Sequence, residues 1–557
     1  MVGIVQVVAA VVSAVLLWAA FPPCGETAGL VVALTPLLVV ARLAAPKRAA
    51  GVWLLSGALF WFATLAWMPA IVKNGGPWPL VVLGWLGLAA YCAGYFAFFG
   101  WLDAHAWRLT RRWADRYPAV VLVPIVLVEP LAWASLEWVR GTALTGFAWN
   151  FLGTGLAHVP GLVAPAKLGG VYLVSGLVVL VNGVFATLVC RLVAQMRRQP
   201  RPVFKGARLL RSAETAVPLL VVLLVYGAAQ TIPATPITQT LRVALVQRNM
   251  PCLFKEKDPQ EKPIEIYDRL LETAAAARPD LVVWAESAMC EFGKVSGANA
   301  RRMARRVSEK TGGAALLAGG DDVEMMADGD RRVYNAAALY TSSGADVAVD
   351  VYAKQHLVPF GEYIPFDKWI TPLQKLSPVG VSIWPGEPKT LELPVRGRTD
   401  AERASVTLAP LICFEDTDPR LARQGARMGA QVFVLITNDS WFSRSTEAEQ
   451  HAWQAVMRAV ETGLPVIRVG NSGVTGVVTP DAKTQWLGAD APRARPAVDV
   501  PGTMVAAVPV PAKNVPTPYT RWGDLPLHLL ACSTLAAFLL LARRKTAMPD
   551  CPKEQVI

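Results

Sequence analysis

Two hydrophobic patterns divide the chain. Long uncharged runs dominate residues 1–232, whereas from about 240 to 520 short apolar runs alternate with charged stretches of helical period. A helix that crosses a bilayer needs about 20 mostly apolar residues. Seven segments before residue 233 meet that length: 2–21, 27–45, 50–72, 77–102, 118–139, one span within 161–195, and 216–232. An eighth covers 525–542. The first has neither a basic start nor a small-residue cleavage site, so it is expected to be a retained helix and not a cleaved signal. Between the seventh and eighth, strands are predicted over 242–247, 280–286, 315–320, 335–342, 347–354, 406–415, 431–439, 465–471 and 503–510. Helical stretches fall between several of them, at 264–277, 298–311 and 449–463. Such alternation predicts an α/β layered domain. GNSGVTG (470–476) reads as a strand-joining turn, and no phosphate-binding glycine pattern or internal repeat is evident.

Composition changes the picture in one respect: it implies two solvents. A chain of 557 residues exceeds one ordinary core, and 53% apolar against 17% charged residues is a membrane-protein balance. The expected division is a seven-helix membrane domain over 1–232, a catalytic α/β domain over 233–515, and a last helix with a tail over 516–557. The net charge of +12 could suggest nucleic acid, but its location argues otherwise. Basic residues cluster after the second span (Arg42, Lys47, Arg48), the fourth (Arg108, Arg111, Arg112, Arg116), the sixth (Arg197 to Arg211) and the eighth (Arg543, Arg544, Lys545). By the positive-inside rule these exits are cytoplasmic, both termini lie inside, and the α/β domain faces outward. Twelve of the 19 Trp precede residue 150, many near predicted helix ends, where interfacial anchoring accounts for them. Within the spans, Glu137 stands out. Arg140, one turn on, is the expected partner, in preference to a transport role.

Eight scattered Cys without a CxxC, and only five His, argue against a zinc site, a disulfide framework or a Ser-His-Asp triad. Three apolar strands nevertheless end on reactive side chains: VVWAE on Glu286, VDVYAK on Lys354 and APLIC on Cys413. Each alone reads plainly as a surface carboxylate, a solvated lysine or a core thiol. Together they fit one crevice at the carboxyl ends of neighbouring strands. A thiol with pKa near 8.5 needs a base to become a nucleophile, which casts Glu286 as general base and Cys413 as nucleophile. Lys354 would stabilise the thiolate and, with the backbone N–H of Phe414, an oxyanion. No cofactor or metal is expected.

These residues stand in motifs that resemble a known family. WAES, YAKQHLVPFGEYIPF, LICFED and NDSWF, in this order, look like the nitrilase superfamily, whose Glu, Lys and Cys act on an αββα sandwich. With the flanking helices and EWVRGTALTGFAWNFLG, the whole chain is similar to the bacterial apolipoprotein N-acyltransferase family. The resemblance implies an inner-membrane enzyme with a periplasmic catalytic domain. It would pass an acyl chain from a phospholipid, typically phosphatidylethanolamine, through a Cys413 thioester to the α-amine of a diacylglyceryl-cysteine apolipoprotein. It also implies Glu362 as a second active-site carboxylate and Glu415 as support. Three positions depart from the family: Phe414 replaces a common tyrosine, FKEKD stands where a tryptophan often follows the first strand, and Met289 and Cys290 stand where a proline is usual. The aromatic-rich segment 357–387, with Phe360, Trp369 and Trp384, is expected to form a lid that meets lipid. The competing readings are a membrane-tethered amidase, for which eight helices are excessive, and a transporter with an outward domain.

Overall fold

The computed structural model describes every residue except 1, 115, 197–206, 251–262, 327–328, 345, 366–381, 396–404, 443, 490–495, 513–514 and 544–557. Among the described residues, eight helices precede the first strand: α1 (Val2–Ala20), α2 (Thr35–Leu43), α3 (Pro46–Thr64), α4 (Trp78–Trp113), α5 (Glu129–Thr142), α6 (Pro160–Val163), α7 (Ala166–Met196) and α8 (Ala207–Gln230). Among the described residues six stretches are long and apolar enough to cross a membrane: Gly3–Ala20, Pro46–Asn74, Trp78–Trp113, Pro118–Thr145, Ala166–Met196 and Ser212–Gln230. Thr27–Leu43 and Leu525–Leu541 are apolar but shorter.

Three expectations need correction here. The segment 27–45 is not one straight span, because a 3-10 turn over Thr27–Val31 leads into the nine-residue α2. Asn182 on α7 supports the break: its Oδ1 accepts from the backbone N–H of Leu34 at 2.8 Å and of Thr35 at 3.0 Å. Arg42 is not a free loop charge. It lies in α2, 4% exposed, with Glu129 at 2.8 Å and Thr187 Oγ1 at 2.8 Å. Glu137 and Arg140 are not hydrogen-bonded to each other. Glu137 accepts from Trp133 Nε1 (2.9 Å) and the Leu152 N–H (2.7 Å), while Arg140 donates to the carbonyls of Phe147 and Trp149 and lies over the Trp61 and Phe151 rings.

The described residues then build two six-stranded sheets. The first contains β1 (Ile237–Gln247), β2 (Leu281–Trp284), β3 (Ala315–Met325), β4 (Arg331–Ser343) and β5 (Asp346–Ala353). Into the second go β6 (Leu391–Pro394), β7 (Ser405–Ile412), β8 (Val432–Thr437), β9 (Val466–Gly470), β10 (Gly476–Val478) and β11 (Thr484–Trp486), while β12 (Gly502–Pro511) returns to the edge of the first. The helices of this part are α9 (Pro263–Ala275), α10 (Ala298–Lys310), α11 (Pro419–Arg427) and α12 (Glu447–Thr462); α13 (Pro518–Trp522) and α14 (Leu525–Arg543) follow β12.

Strand direction places the site. β2 runs parallel to β3, β3 antiparallel to β4, and β4 antiparallel to β5, so β2 and β5 end at the same edge of the first sheet. Glu286 and Lys354 follow those two ends. β7 and β8 pair in parallel in the second sheet, and Cys413 follows β7. The two sheets face each other across a core that includes Val243, Leu245, Leu339, Leu408, Val434 and Ile436. Two further cores cover their outer faces. Tyr267, Leu271, Met303 and Val307 of α9 and α10 pack on the first sheet. On the second sheet, Ala455, Val456 and Val460 of α12 belong to a core that continues into Leu17, Trp53 and Phe96 of the membrane helices and Phe151 of the connection between α5 and α6. The αββα sandwich and the helical domain are therefore joined through α12.

Candidate active site

Each reactive side chain sits where a strand stops for a visible reason. After β2, Ala285 still accepts from the Gly319 N–H at 3.2 Å, and Glu286 then turns toward the gap between the sheets. Gly319 has to be small there, since a Cβ on it would lie 2.7 Å from Glu286 Cα and 2.8 Å from Ile436 Cδ1. After β5, the Lys354 N–H donates to the Asn335 carbonyl at 2.8 Å, extending the ladder by one residue. After β7, Cys413 takes a left-handed backbone with φ of 51° and begins a short 3-10 turn, Cys413–Thr417. This conformation costs energy for a residue with a Cβ and persists only where its surroundings hold it.

Glu415 is one such restraint. It is fully buried, and its Oε2 accepts from the Ile412 N–H at 2.8 Å. Its Oε1 accepts from the N–H groups of Gln355 (2.7 Å) and His356 (3.1 Å), and the Tyr352 hydroxyl donates to the same carboxylate at 2.9 Å. One side chain thus ties the residues around Lys354 to the residue before Cys413. Burial pushes the Glu415 carboxyl up, and the three backbone N–H groups and Lys354 oppose it.

Lys354 is 1% exposed and lies between two carboxylates, 2.9 Å from Glu362 and 3.9 Å from Glu286. Asn335 fixes both acids, its Nδ2 donating to Glu286 Oε1 and to Glu362 Oε1, each at 2.7 Å. Glu362 also accepts from the Val358 N–H at 2.8 Å. Burial works against the Lys354 charge, but Glu362, Glu286 and Cys413 outweigh it and raise its pKa, so the ammonium persists. Burial raises the Glu286 carboxyl, with Lys354 opposing. Burial and the nearby Glu286 also push the Cys413 thiol well up, Lys354 pulling it back. The sulfur is therefore a thiol at rest, next to a carboxylate made more basic than usual and a permanent cation. That set suits proton removal coupled to attack on a carbonyl.

Behind the cysteine lies a second buried group that sequence reasoning overlooked. His451 Nε2 meets Asp416 Oδ1 at 2.9 Å and the Cys413 carbonyl at 3.2 Å, and Nδ1 meets Asp439 Oδ1 at 3.1 Å. Arg468 bridges the two aspartates at 3.2 Å each. Asn335 was also overlooked, although an Asn opening the apolar strand NAAALYTS is unfavourable for a strand and was a usable signal. Of the remaining predicted residues, Phe414 packs against the shared core with its ring 5.5 Å from His356. Phe360 has φ of 62° and is 67% exposed. Trp384 is half-buried beneath the Arg332 guanidinium, 4.3 Å from its ring, and Trp369 lies outside the described residues. Burial and Asp321 push the Cys290 thiol up to about 12.

Comparison with known proteins gives the same two-part picture. The model of the carbon-nitrogen hydrolase family matches residues 242–491, and that of the apolipoprotein N-acyltransferase N-terminal domain matches residues 13–184. The sandwich with its acid, amine and thiol is thus a carbon-nitrogen hydrolase domain, here carried on membrane helices. The apolipoprotein N-acyltransferase of Geobacter metallireducens is 32% identical over 473 residues, 84% of each chain. That of Azotobacter vinelandii is 32% identical over 519 residues, 92% of this chain and 91% of its own. Among solved structures, an amidase from Nesterenkonia is 18% identical and covered to 98%, with 53% of this chain covered and a TM-score of 0.34. The chain belongs to the apolipoprotein N-acyltransferase family.

Proposed function

We propose that this membrane enzyme moves a fatty acyl chain from a phospholipid to the α-amine of a diacylglyceryl-cysteine at an apolipoprotein N-terminus. The observation that carries the reading is a half-buried Cys413 beside the buried Glu286 and Lys354, in a sandwich packed directly on membrane helices through α12. Glu286 takes the thiol proton as the sulfur attacks the ester carbonyl. Lys354, with the Phe414 N–H, stabilises the oxyanion. The lysophospholipid alcohol leaves with the proton held by Glu286, and a thioester remains on Cys413. In the second half-reaction Glu286 takes a proton from the acceptor amine, which displaces the thiolate and forms the amide. Glu362 and Asn335 hold Lys354 and Glu286 in place, and Glu415 supports the turn.

The segment around Phe360, Trp369 and Trp384 serves as the lipid-contacting lid. Measuring phospholipid KM in Trp369→Ser and Trp384→Ser tests this part; an unchanged KM contradicts it. We place the membrane domain at 1–232, the catalytic domain at 233–515 and the last helix and tail at 516–557. The distribution of basic residues supports cytoplasmic termini and a periplasmic catalytic domain on the inner membrane. Incubation with a fluorescent phospholipid and a lipidated peptide tests the reaction itself. Label on the peptide amine supports the transfer; release of free fatty acid with no labelled peptide refutes it in favour of hydrolysis.

A further inference from the structure

Helix α12 has the membrane domain on one side and the turn that carries Cys413 on the other, and consecutive residues reach both. Gln450 is enclosed by groups from the membrane part. Its Oε1 accepts from Trp67 Nε1 (3.2 Å), Trp149 Nε1 (2.8 Å) and Asn150 Nδ2 (3.3 Å), and its Nε2 donates to the carbonyls of Pro22 and Thr64, each at 3.3 Å. The next residue, His451, reaches the Cys413 carbonyl, Asp416 and Asp439. A second tie runs alongside: Asn74 Nδ2 donates to the carbonyls of Ser440 (3.0 Å) and Trp441 (2.7 Å), directly after Asp439.

The cluster around His451 leaves little freedom. His451, Asp416, Asp439 and Arg468 have side chains no more than 2% exposed. Glu447 lies 3.6 Å from the ring, and Gly473 leaves the space that Asp439 fills. Asp439, Glu447 and His451 could hold a metal by donor type. Arg468 and the imidazolium already supply the two positive charges that the aspartates need, so the group closes on itself as an ion network. Burial opposes the imidazolium, yet Asp416 and Asp439 outweigh it with only Arg468 opposing them, and the ring is held protonated.

We propose that α12 positions the nucleophile from the membrane domain: Gln450, gripped by Trp67, Trp149 and Asn150, sets the helix so that His451 holds the Cys413 carbonyl and its left-handed backbone. His451 and Gln450 are positioning residues in this scheme and touch no reacting atom. The proposal rests on Cys413 being the acyl carrier, but its test reads the sulfur directly.

The experiment measures iodoacetamide alkylation of Cys413 in the full chain in nanodiscs, with the partly buried Cys290 as internal control. His451→Gln removes the charge, and Trp149→Phe removes one donor to Gln450 while keeping a ring. We expect Cys413 alkylation to slow about tenfold in the first and about threefold in the second, and about tenfold in the double variant, since residues in one network do not act additively. Cys290 should be unchanged. Independent effects that multiply in the double variant overturn the proposal, as does no effect in either single variant, or parallel changes at Cys290 and Cys413. Should His451→Gln fail to fold, Trp149→Phe and Trp67→Phe carry the test: both slow Cys413 if the proposal holds, and an unchanged rate in both overturns it. A wild type that alkylates normally but takes no acyl chain from phospholipid bears on the proposed function alone.

Discussion

At the scale of the residue, the site is a contest between burial and charge. Burial raises Glu286 above the usual carboxylate pKa of 4.5, and only its ionised form can take the thiol proton. Cys413 acylation should therefore rise with pH through an apparent pKa above 4.5, and Glu286→Gln should lose this limb together with about 10²- to 10⁴-fold in rate. A single-turnover pH profile checks both. Asn335→Leu leaves the buried Glu286 and the partly buried Glu362 short of a donor. It should cost about 1–3 kcal/mol of stability, visible as a lowered denaturation midpoint, and slow acylation. His451 gives a stability prediction of opposite sign to an acid. Burial opposes its charge but Asp416 and Asp439 prevail, pushing its pKa from 6.5 to about 10. Its stabilising effect is complete below pH 6.5 and is lost as pH climbs toward about 10. Thermal midpoints should fall across that window in the wild type and less so in His451→Gln. Glu286, Lys354 and Cys413 were legible because each combines a reactive group with the end of an apolar strand. Asn335 and His451 react with nothing, so only their three-dimensional partners reveal them.

At the scale of the element, the site depends on strands stopping in register. Gly319→Ala places a methyl against Glu286 Cα and Ile436 Cδ1, so either β2 or β3 must shift. It should lower acylation while costing about 1–3 kcal/mol by overpacking, as acyl-adduct kinetics and melting in parallel will show. All nine strands expected from the sequence are present, since buried or alternating runs of five or more residues carry a clear period. β10 and β11, with three residues each, are too short to show one, and β6 is LELP, which carries a Glu and ends on Pro, unlike the equally short but wholly apolar LVVW of β2. α11 was overlooked because PRLARQGAR is rich in arginine and begins with a proline, a pattern that reads equally as a solvated loop. The strand expected over 406–415 ends three residues early because Cys413 leaves the β region, a turn specified by Glu415 contacts from distant segments.

At the scale of the whole molecule, the membrane helices are both anchor and scaffold. Length and apolarity were enough to read most spans, but not the buried polar joints between them, which depend on partners on other helices. Arg42 of α2 illustrates this, held by Glu129 of α5 and by Thr187 and the Gly183 carbonyl of α7. Arg42→Leu strands a buried Glu129 and should cost about 3–5 kcal/mol, reducing the yield of folded protein in detergent; replacing Glu129 as well should recover part of it. The account as a whole stands on one covalent event at one sulfur. Its most direct test is intact-protein and peptide mass spectrometry after incubation with a defined phospholipid. The account predicts one acyl mass on Cys413, removed by hydroxylamine and absent from Cys413→Ser. An unmodified Cys413, an acyl group on another residue, or normal acyl transfer by Cys413→Ser would contradict it.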